Sequence, residues 1–298
     1  MTDNLSSFFF SFNINSLIET FIIQKVIYFG MAKTTAFPWY GSKYTQVNWL
    51  LDLFPSTERY VEPFGGSGVV LVNKEPTGVE TFNDINGEIV NFFDVIRNEP
   101  AEFERRLLLT PHSREMYTRA MDKEPKDDIT RALYFLIRTA QSFGGITGGG
   151  WGRSIGNIRR NMGARTAAWK HRTGEINTVA KRMRRVQIEN TDAIELIEDH
   201  DHEDCLFYCD PPYPEGSRKK TGQYVYEYTD SQHRELFNTL DGCDAYVVVS
   251  GYSCKLLDTL YSDWYCYKEG EKKLAGETSG TREEVVWTNY DVSEVVDK

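Results

Sequence analysis

A short apolar run that must stop at a fixed point is the most constraining feature of this sequence. Leu206–Cys209 is unbroken and apolar, which is typical of a strand buried on both faces. The next four residues, Asp210–Tyr213, have the order Asp-Pro-Pro-Tyr. Because proline has no N–H group, neither Pro211 nor Pro212 can continue the ladder of a sheet. The strand therefore ends at a stiff turn, whose carbonyl groups we expect to be unpaired.

This turn predicts a binding site at the carboxyl end of the strand, the edge where open α/β sheets bind their ligands. A carboxylate (Asp210), a rigid carbonyl group (Pro211) and an aromatic face (Tyr213) are expected to be presented together. The set suits a planar base with an exocyclic amine, because two oxygens can accept the N–H groups while the tyrosine stacks on the ring. The alternative is a proline-rich turn in which the acid is only structural.

Three further segments contain residue types that a ligand site needs. A glycine-rich turn, Glu62–Gly68, joins a predicted strand to a predicted helix, and glycine lets the backbone approach a ligand closely. A short strand then ends at Asp84, and an acid about 20 residues beyond such a turn commonly binds ribose hydroxyl groups. An Asx-type helix cap is the structural alternative there. Upstream, Phe37–Lys43 combines an aromatic pair, a tight turn and a lysine.

Together and in this order, the four segments resemble the Dam-like family of DNA adenine-N6 methyltransferases. The Asp-Pro-Pro-Tyr sequence is the most specific part, and the glycine-rich turn is similar to the family's S-adenosylmethionine loop. Trp39–Lys43 resembles the family's N-terminal segment, with Ser42 in place of its second glycine. Asn83–Asn86 resembles the ribose-binding step, and residues 245–252 and 284–290 resemble the closing strands.

The resemblance implies an α/β fold: an open, mostly parallel sheet flanked by helices, the Rossmann-like methyltransferase fold, with one antiparallel strand near an edge. It also implies an inserted, mainly helical target-recognition region. We expect residues 31–96 and 186–298 to form the catalytic domain that binds S-adenosylmethionine, and residues 97–185 to form a basic helical DNA-recognition insertion. Residues 1–30 are expected to be an N-terminal extension outside the fold.

The implied activity is transfer of a methyl group from S-adenosylmethionine to the N6 of adenine in double-stranded DNA, with base flipping. The resemblance assigns catalysis to Asp210, Pro211, Pro212 and Tyr213. It assigns cofactor binding to Trp39, Lys43, Glu62, Phe64, Gly65, Gly66, Gly68, Asp84 and Asp210.

Three other functions stay open at this point. Cytosine-N4 methylation uses the same chemistry, since cytosine also has an exocyclic amine. Methylation of a protein amide is the second alternative, against which the basic insertion argues, and a catalytically silent DNA-binding protein is the third. A cognate restriction enzyme is among the partners that the resemblance allows.

The distribution of charge, rather than the net charge, agrees with a DNA substrate. The chain has a net charge of −10, unlike a generally basic DNA-binding protein. Yet residues 153–185 contain ten basic residues and one acid, a local charge of +9. A solvated helix face is the structural alternative. From this stretch and a later basic patch we predict DNA contacts by Arg153, Arg159, Arg160, Lys219 and Lys220.

Other features indicate a cytoplasmic protein without a metal site. The five cysteines are odd in number and form no C-x-x-C pair, which is typical of reduced thiols. No apolar run reaches the roughly 20 residues of a membrane span. Asp199–Asp204 mixes metal-ligating residue types, but no further histidine cluster completes a site, so we expect no metal ion.

Overall fold

The computed structural model describes residues 33–143, 148–214, 226–269 and 284–295, and every structural statement below concerns these residues. Two sheets are found there, a large central one and a small hairpin. Their strands, in chain order, are β1 (Arg59–Glu62), β2 (Val79–Asn83), β3 (Ile158–Arg159), β4 (Met162–Gly163), β5 (Val186–Glu189), β6 (Cys205–Cys209), β7 (Tyr246–Tyr252), β8 (Tyr265–Lys268) and β9 (Glu284–Thr288).

The central sheet has the strand order β5-β2-β1-β6-β7-β9-β8. The first five strands run parallel, and β9 pairs antiparallel with both of its neighbours. The predicted open, mostly parallel sheet with an antiparallel strand near one edge is thus confirmed. From β1 the chain moves outward through β2, and from β6 it moves outward the other way to β7. The order therefore reverses between β1 and β6, which is where open α/β sheets form a ligand crevice.

The helices pack on both faces of this sheet. Side chains of one strand alternate between two hydrophobic clusters, as the period of two requires: Tyr208 joins the first cluster, whereas Phe207 and Cys209 join the second. In chain order the helices are α1 (Val47–Leu51), α2 (Val69–Asn73), α3 (Gly87–Asn98), α4 (Pro100–Leu109), α5 (Arg114–Asp122), α6 (Asp128–Ala140), α7 (Ala164–Met183), α8 (Ala193–His200), α9 (Asp230–Asp241), α10 (Lys255–Leu260) and α11 (Val292–Val295).

Helices α4 to α7 and the hairpin β3–β4 make up the mainly helical region between residues 97 and 185. Its helices share one core with α3, where the ring of Phe92 packs edge-on against Phe103 at 5.8 Å. At its end, both terminal nitrogens of Arg182 donate to the carboxylate of Glu80, each at 2.6 Å, which ties α7 to β2. The domain boundaries stay a prediction, and residues 1–30 lie outside the described residues. In the described ranges, no helix is both long and apolar enough to cross a bilayer.

Candidate active site

A cleft of about 220 Å³ opens where the order of the strands reverses. The glycine-rich turn after β1 and the end of β2 form one wall, while Asp210, Pro212 and Tyr228 form the other. The structure brings most of the predicted cofactor residues together in its lining: Trp39, Lys43, Glu62, Phe64, Gly65, Gly66, Asp84 and Asp210. Gly68 does not line the cleft; it has a left-handed φ of 62° and is the N-cap of α2.

The glycines of the turn are required by close packing. A side chain at Gly65 would overlap the ring of Phe82. Gly66 has a φ of 51°, and a Cβ atom there would lie 3.3 Å from the indole of Trp39. Since the Gly66 N–H donates to Asp84 Oδ2 at 2.8 Å, the turn is fixed to the end of β2. A side chain at Gly66 would therefore narrow the cleft beside the indole.

Asp84 lies at the floor of the cleft with part of its acceptor capacity unused. Its other oxygen accepts the Asn86 N–H at 2.8 Å, and each carboxylate oxygen has two acceptor positions. Burial raises the pKa of Asp84 to about 6, against the opposing effect of the two N–H groups. The N-cap of α3 is Asn86, which accepts from the Glu88 N–H at 3.0 Å. The Asx-type bond of Asp84 to the Asn86 N–H therefore lies just before the helix, and it leaves room for a ribose role.

Asp210 and Lys43 form an ion pair at the end of β6. The Lys43 ammonium donates to both oxygens of the carboxylate at 2.7 Å, and it lies 3.5 Å from Glu284 Oε1. Ser250 donates to Asp210 Oδ1 at 2.8 Å. The side chain of Lys43 is only 5% exposed. Burial alone would lower the pKa of Lys43, but the two carboxylates outweigh it and hold that pKa above its ordinary value of 10.5.

Tyr213 is buried rather than presented as an open face. Its residue is 3% exposed, because the hydroxyl donates to Glu284 Oε1 at 2.6 Å and the ring packs edge-on against Tyr252 at 4.8 Å. Burial raises the pKa of Glu284, and Lys43 and Tyr213 oppose this effect only in part. Stacking of Tyr213 on a substrate ring stays a prediction.

A second, smaller cavity of about 160 Å³ adjoins the cleft through Tyr40–Lys43, which line both. Its other walls include Tyr213, Tyr252 and Glu284. The Lys43–Asp210 ion pair thus lies where the two cavities share a wall. Three of the nine residues that line the second cavity are tyrosines: Tyr40, Tyr213 and Tyr252.

The expectation that the carbonyl groups of the turn are unpaired is wrong for Pro212. Its oxygen lies 3.1 Å from Nε2 of His233, a residue of α9 that is 1% exposed. The imidazole ring packs edge-on against Tyr228 at 5.0 Å, and Tyr228 packs in the same manner against Phe64 at 5.6 Å. The Asp-Pro-Pro-Tyr turn is therefore braced from the helical layer, which sequence spacing alone did not indicate.

Glu62 is a buried carboxyl group in the lining of the cleft. It is 2% exposed and accepts from the Tyr60 hydroxyl at 2.6 Å. Burial raises the pKa of Glu62 to about 8, more than its hydrogen bonds lower it. The group is therefore largely protonated near neutral pH.

Sequence reasoning missed the roles of three residues around the turn: Ser250, Glu284 and His233. A signal did exist for Ser250, since β7 pairs in parallel with β6 and Cys209 lies opposite Val249. Asp210 follows Cys209 and Ser250 follows Val249, so the two residues come to the same edge of the sheet. No local pattern distinguishes His233 from other polar residues of an amphipathic helix.

The predicted DNA contacts in the described region lie on an exposed hairpin. Arg159 and Arg160 are exposed, and the turn of β3–β4 has φ values of 51° at Arg160 and 59° at Asn161, as in a type I′ turn. Ile158, on the same hairpin, is 73% exposed. Arg153 is exposed just before it. Lys219 and Lys220 lie outside the described residues.

Not all of the basic stretch faces solvent. Arg182 is bound to Glu80, and Arg172 donates to the carbonyl oxygen of Thr35 at 3.1 Å. These two arginines hold α7 against the rest of the protein. The local charge available to a partner is smaller than the sequence indicates.

The fold is of the Rossmann-like type: a mostly parallel sheet flanked by helices, with a cleft at the point of strand reversal. The profile of the family described as D12 class N6 adenine-specific DNA methyltransferase matches residues 39–275. The chain belongs to this family.

Individual relatives agree with that assignment. A DNA adenine methylase of Vibrio cholerae is 27% identical over 61% of this chain and 66% of its own length. A type II methyltransferase of Lactococcus lactis subsp. cremoris is 23% identical over 85% of this chain and 94% of its own length. A DNA N-6-adenine-methyltransferase of Escherichia phage P1 is 29% identical over 37% of this chain, which spans only 15% of that protein.

Among solved structures, an rRNA methyltransferase from Streptomyces viridochromogenes matches with a TM-score of 0.34 and 13% identity, over 84% of this chain and 85% of that one. The fold assignment rests on the strand order and the family match and not on this likeness.

Proposed function

We propose that the chain transfers a methyl group from S-adenosylmethionine to the exocyclic N6 amine of adenine in DNA. Membership of the family supports the reaction. The observation that supports it most directly is the place of Asp210, at the carboxyl end of β6 and beside the cleft, with both carboxylate oxygens bound to a nitrogen at 2.7 Å. A carboxylate that binds one N–H donor there is suited to bind another.

The cleft fits S-adenosylmethionine by the chemistry of its lining. Asp84 supplies free acceptor positions for ribose hydroxyl groups, Gly66 leaves room beside Trp39, and Phe64 and Trp39 supply apolar surface. Asp192 caps α8 through the Ile194 N–H at 2.8 Å and also lines the cleft. When bound, S-adenosylmethionine supplies an electrophilic methyl group on a sulfonium sulfur.

An exocyclic amine is a poor nucleophile, because its lone pair is delocalised into the ring. Acceptors on both of its hydrogens favour a pyramidal nitrogen with an available lone pair. Asp210 and the Pro211 carbonyl group are assigned this role, and the turn holds the amine in place, which supplies the entropic part of the rate. The Lys43 ammonium now donates to the same carboxylate, and Glu284 at 3.5 Å offers it another partner when an amine enters.

We assign the tyrosine-lined second cavity to the extruded base. Enzymes that modify a base inside a duplex must first take it out of the stack. Tyr40, Tyr213 and Tyr252 line this cavity, so a planar ring would meet aromatic surface there.

The surface that we assign to DNA is the β3–β4 hairpin with Arg153, Arg159 and Arg160. Exposed arginines suit contacts with phosphates, which position a duplex without reading its sequence. The apolar side chain of Ile158, exposed beside them, adds surface for a base or sugar. Lys219 and Lys220 extend this assignment as predictions.

Cytosine-N4 methylation is the second candidate for the same turn, since the chemistry of the amine is shared. The family match favours adenine. A restriction partner also stays a prediction, prompted by the name of the Lactococcus relative.

Transfer of a labelled methyl group to unmethylated DNA, followed by chromatography of the nucleosides, tests the proposal. We expect N6-methyladenine from the wild type, and a loss of about 10²–10³ in rate for Asp210→Asn. Asp204→Asn is the matched control, because Asp204 lies just before the first residue of β6, at the end of the strand away from Asp210. Labelled N4-methylcytosine, no labelled base from the wild type, or normal turnover of Asp210→Asn would contradict the proposal.

A further inference from the structure

The side chain that braces the catalytic turn from outside the sheet is His233. Its Nε2 atom lies 3.1 Å from the carbonyl oxygen of Pro212. Because a carbonyl oxygen can only accept a hydrogen bond, His233 must hold a proton on Nε2 in this contact. The residue is 1% exposed, so water does not compete for the bond.

The start of α9 fixes the position of this imidazole. Thr229 caps the helix with its hydroxyl oxygen, Gln232 returns a bond to the Thr229 N–H, and the His233 N–H donates to the Thr229 carbonyl group at 2.9 Å. His233 is therefore in the first turn of the helix, on the buried face that Leu236 and Leu240 continue. Because these bonds fix the first turn of α9, the imidazole ring of His233 has a defined position relative to the sheet.

Asp210, Pro212 and Tyr213 of the turn are each bound by side chains from other parts of the fold. Ser250 and Lys43 bind the Asp210 carboxylate, and Glu284 binds the Tyr213 hydroxyl. Proline rings already fix φ at residues 211 and 212. The bond from His233 then fixes the peptide plane that follows Pro212. Together with the fixed φ of Pro212, this bond restricts the direction in which the Pro211 carbonyl group can point.

The same ring also touches the wall of the cofactor cleft. Tyr228, which packs edge-on against the imidazole at 5.0 Å, lines that cleft together with Phe64. His233 thus contacts both the turn, through Pro212, and the cleft wall, through Tyr228.

We propose that His233 is a positioning residue for methyl transfer: its Nε2–H bond to Pro212 holds the Asp-Pro-Pro-Tyr turn in the geometry that receives the amine. This inference rests on the proposed function. It assigns to His233 no contact with the cofactor or the base. The bond should therefore affect the rate of transfer more than the affinity for S-adenosylmethionine.

Two variants of similar length separate the bond from the packing. Gln places an amide N–H near the position of Nε2, whereas Met fills similar space without a donor, and both residues favour helices. We expect His233→Met to lower kcat by about tenfold to a hundredfold, the scale of a displacement of about 1 Å at a reacting group. His233→Gln should retain most of the rate. The cofactor affinity of both should stay within about threefold of the wild type, below the tenfold that 1.4 kcal/mol represents.

Leu240→Val is the matched control, a conservative loss of packing on the same buried face of α9 that leaves the Pro212 bond intact. It should lower stability without changing kcat at a temperature where all variants are folded. The inference would be overturned if His233→Met had the kcat of the wild type, or if His233→Gln lost as much kcat as His233→Met. An equal loss of kcat in Leu240→Val would also overturn it.

Long-range nitrogen NMR of the wild-type protein supplies a second measurement that needs no variant and no turnover. It should show His233 protonated on Nε2, and a ring protonated only on Nδ1 would overturn the inference. Absence of any methyl transfer by the wild type would instead reject the proposed function, whatever the tautomer.

Discussion

Replacing Lys43 with methionine should destabilise the folded protein by about 3 kcal/mol, the lower end of the range for breaking a buried ion pair. The change removes an ammonium that contacts both Asp210 oxygens at 2.7 Å and Glu284 at 3.5 Å. Among the described residues, Asp210 and Glu284 are then left close together without the ammonium group that pairs with both. We choose the lower end because the Asp210 side chain keeps 20% of its exposure and can be solvated in part.

The cost should depend on pH in a defined direction. The pKa of Lys43 is raised, so the stability it contributes is present below 10.5 and is lost as the pH rises through the folded value. Burial already raises the pKa of Glu284, and Lys43 opposes this effect. Without Lys43, Glu284 should therefore retain its proton to higher pH. The penalty of Lys43→Met should therefore be largest above neutral pH and should shrink as Glu284 becomes protonated.

Urea unfolding of Lys43→Met, Asp210→Asn and the double variant forms the cycle that measures the coupling. Lys74→Met is the matched control: the Lys74 side chain is also only 10% exposed, but its partner Glu80 is bound by Arg182 as well, so this change should cost less. A Lys43→Met protein within about 0.5 kcal/mol of the wild type, the level of ordinary surface substitutions, would refute the reasoning.

Three further predictions follow from the cleft and the hairpin. Asp84→Ala should weaken binding of S-adenosylmethionine and free the Gly66 N–H, and unchanged affinity by calorimetry would contradict the ribose role. Wild-type stability should fall as the pH rises from 4.5 to about 8, because folded Glu62 keeps a proton that the unfolded chain releases. Glu62→Gln should reduce this pH dependence of the free energy of unfolding, measured by urea titration at each pH. An unchanged pH dependence in the variant would contradict the prediction. Arg160→Ala should reduce the salt dependence of DNA binding by about one phosphate contact, and an unaltered slope would remove Arg160 from the interface.

The sequence determines the central strands and the cofactor side of the cleft because these depend on local patterns. The apolar run of β6 and the two prolines after it fix where the strand ends, and the glycines after β1 mark a backbone that must turn tightly. Parallel strands bring their carboxyl ends to one edge, so Glu62, Asp84 and Asp210 had to come together.

What the sequence does not reveal depends on contacts between distant residues. Lys43 is 167 positions from Asp210, and their ion pair forms only when the segment that contains Lys43 packs beside the carboxyl end of β6. Tyr213 is buried because Glu284, from an antiparallel strand 71 positions later, accepts its hydroxyl group. Likewise, Arg182 turns inward because it binds the buried carboxylate of Glu80, which no count of local charge can show.

The central claim is that the cofactor cleft and the tyrosine-lined cavity meet at Asp210. A crystal structure with S-adenosylmethionine bound tests it most directly. We expect the ribose hydroxyl groups on Asp84 and the sulfonium methyl group directed toward the Asp210 carboxylate, with Lys43 between Asp210 and Glu284. A cofactor seated elsewhere, or one whose methyl group is separated from Asp210 by protein, would contradict the account.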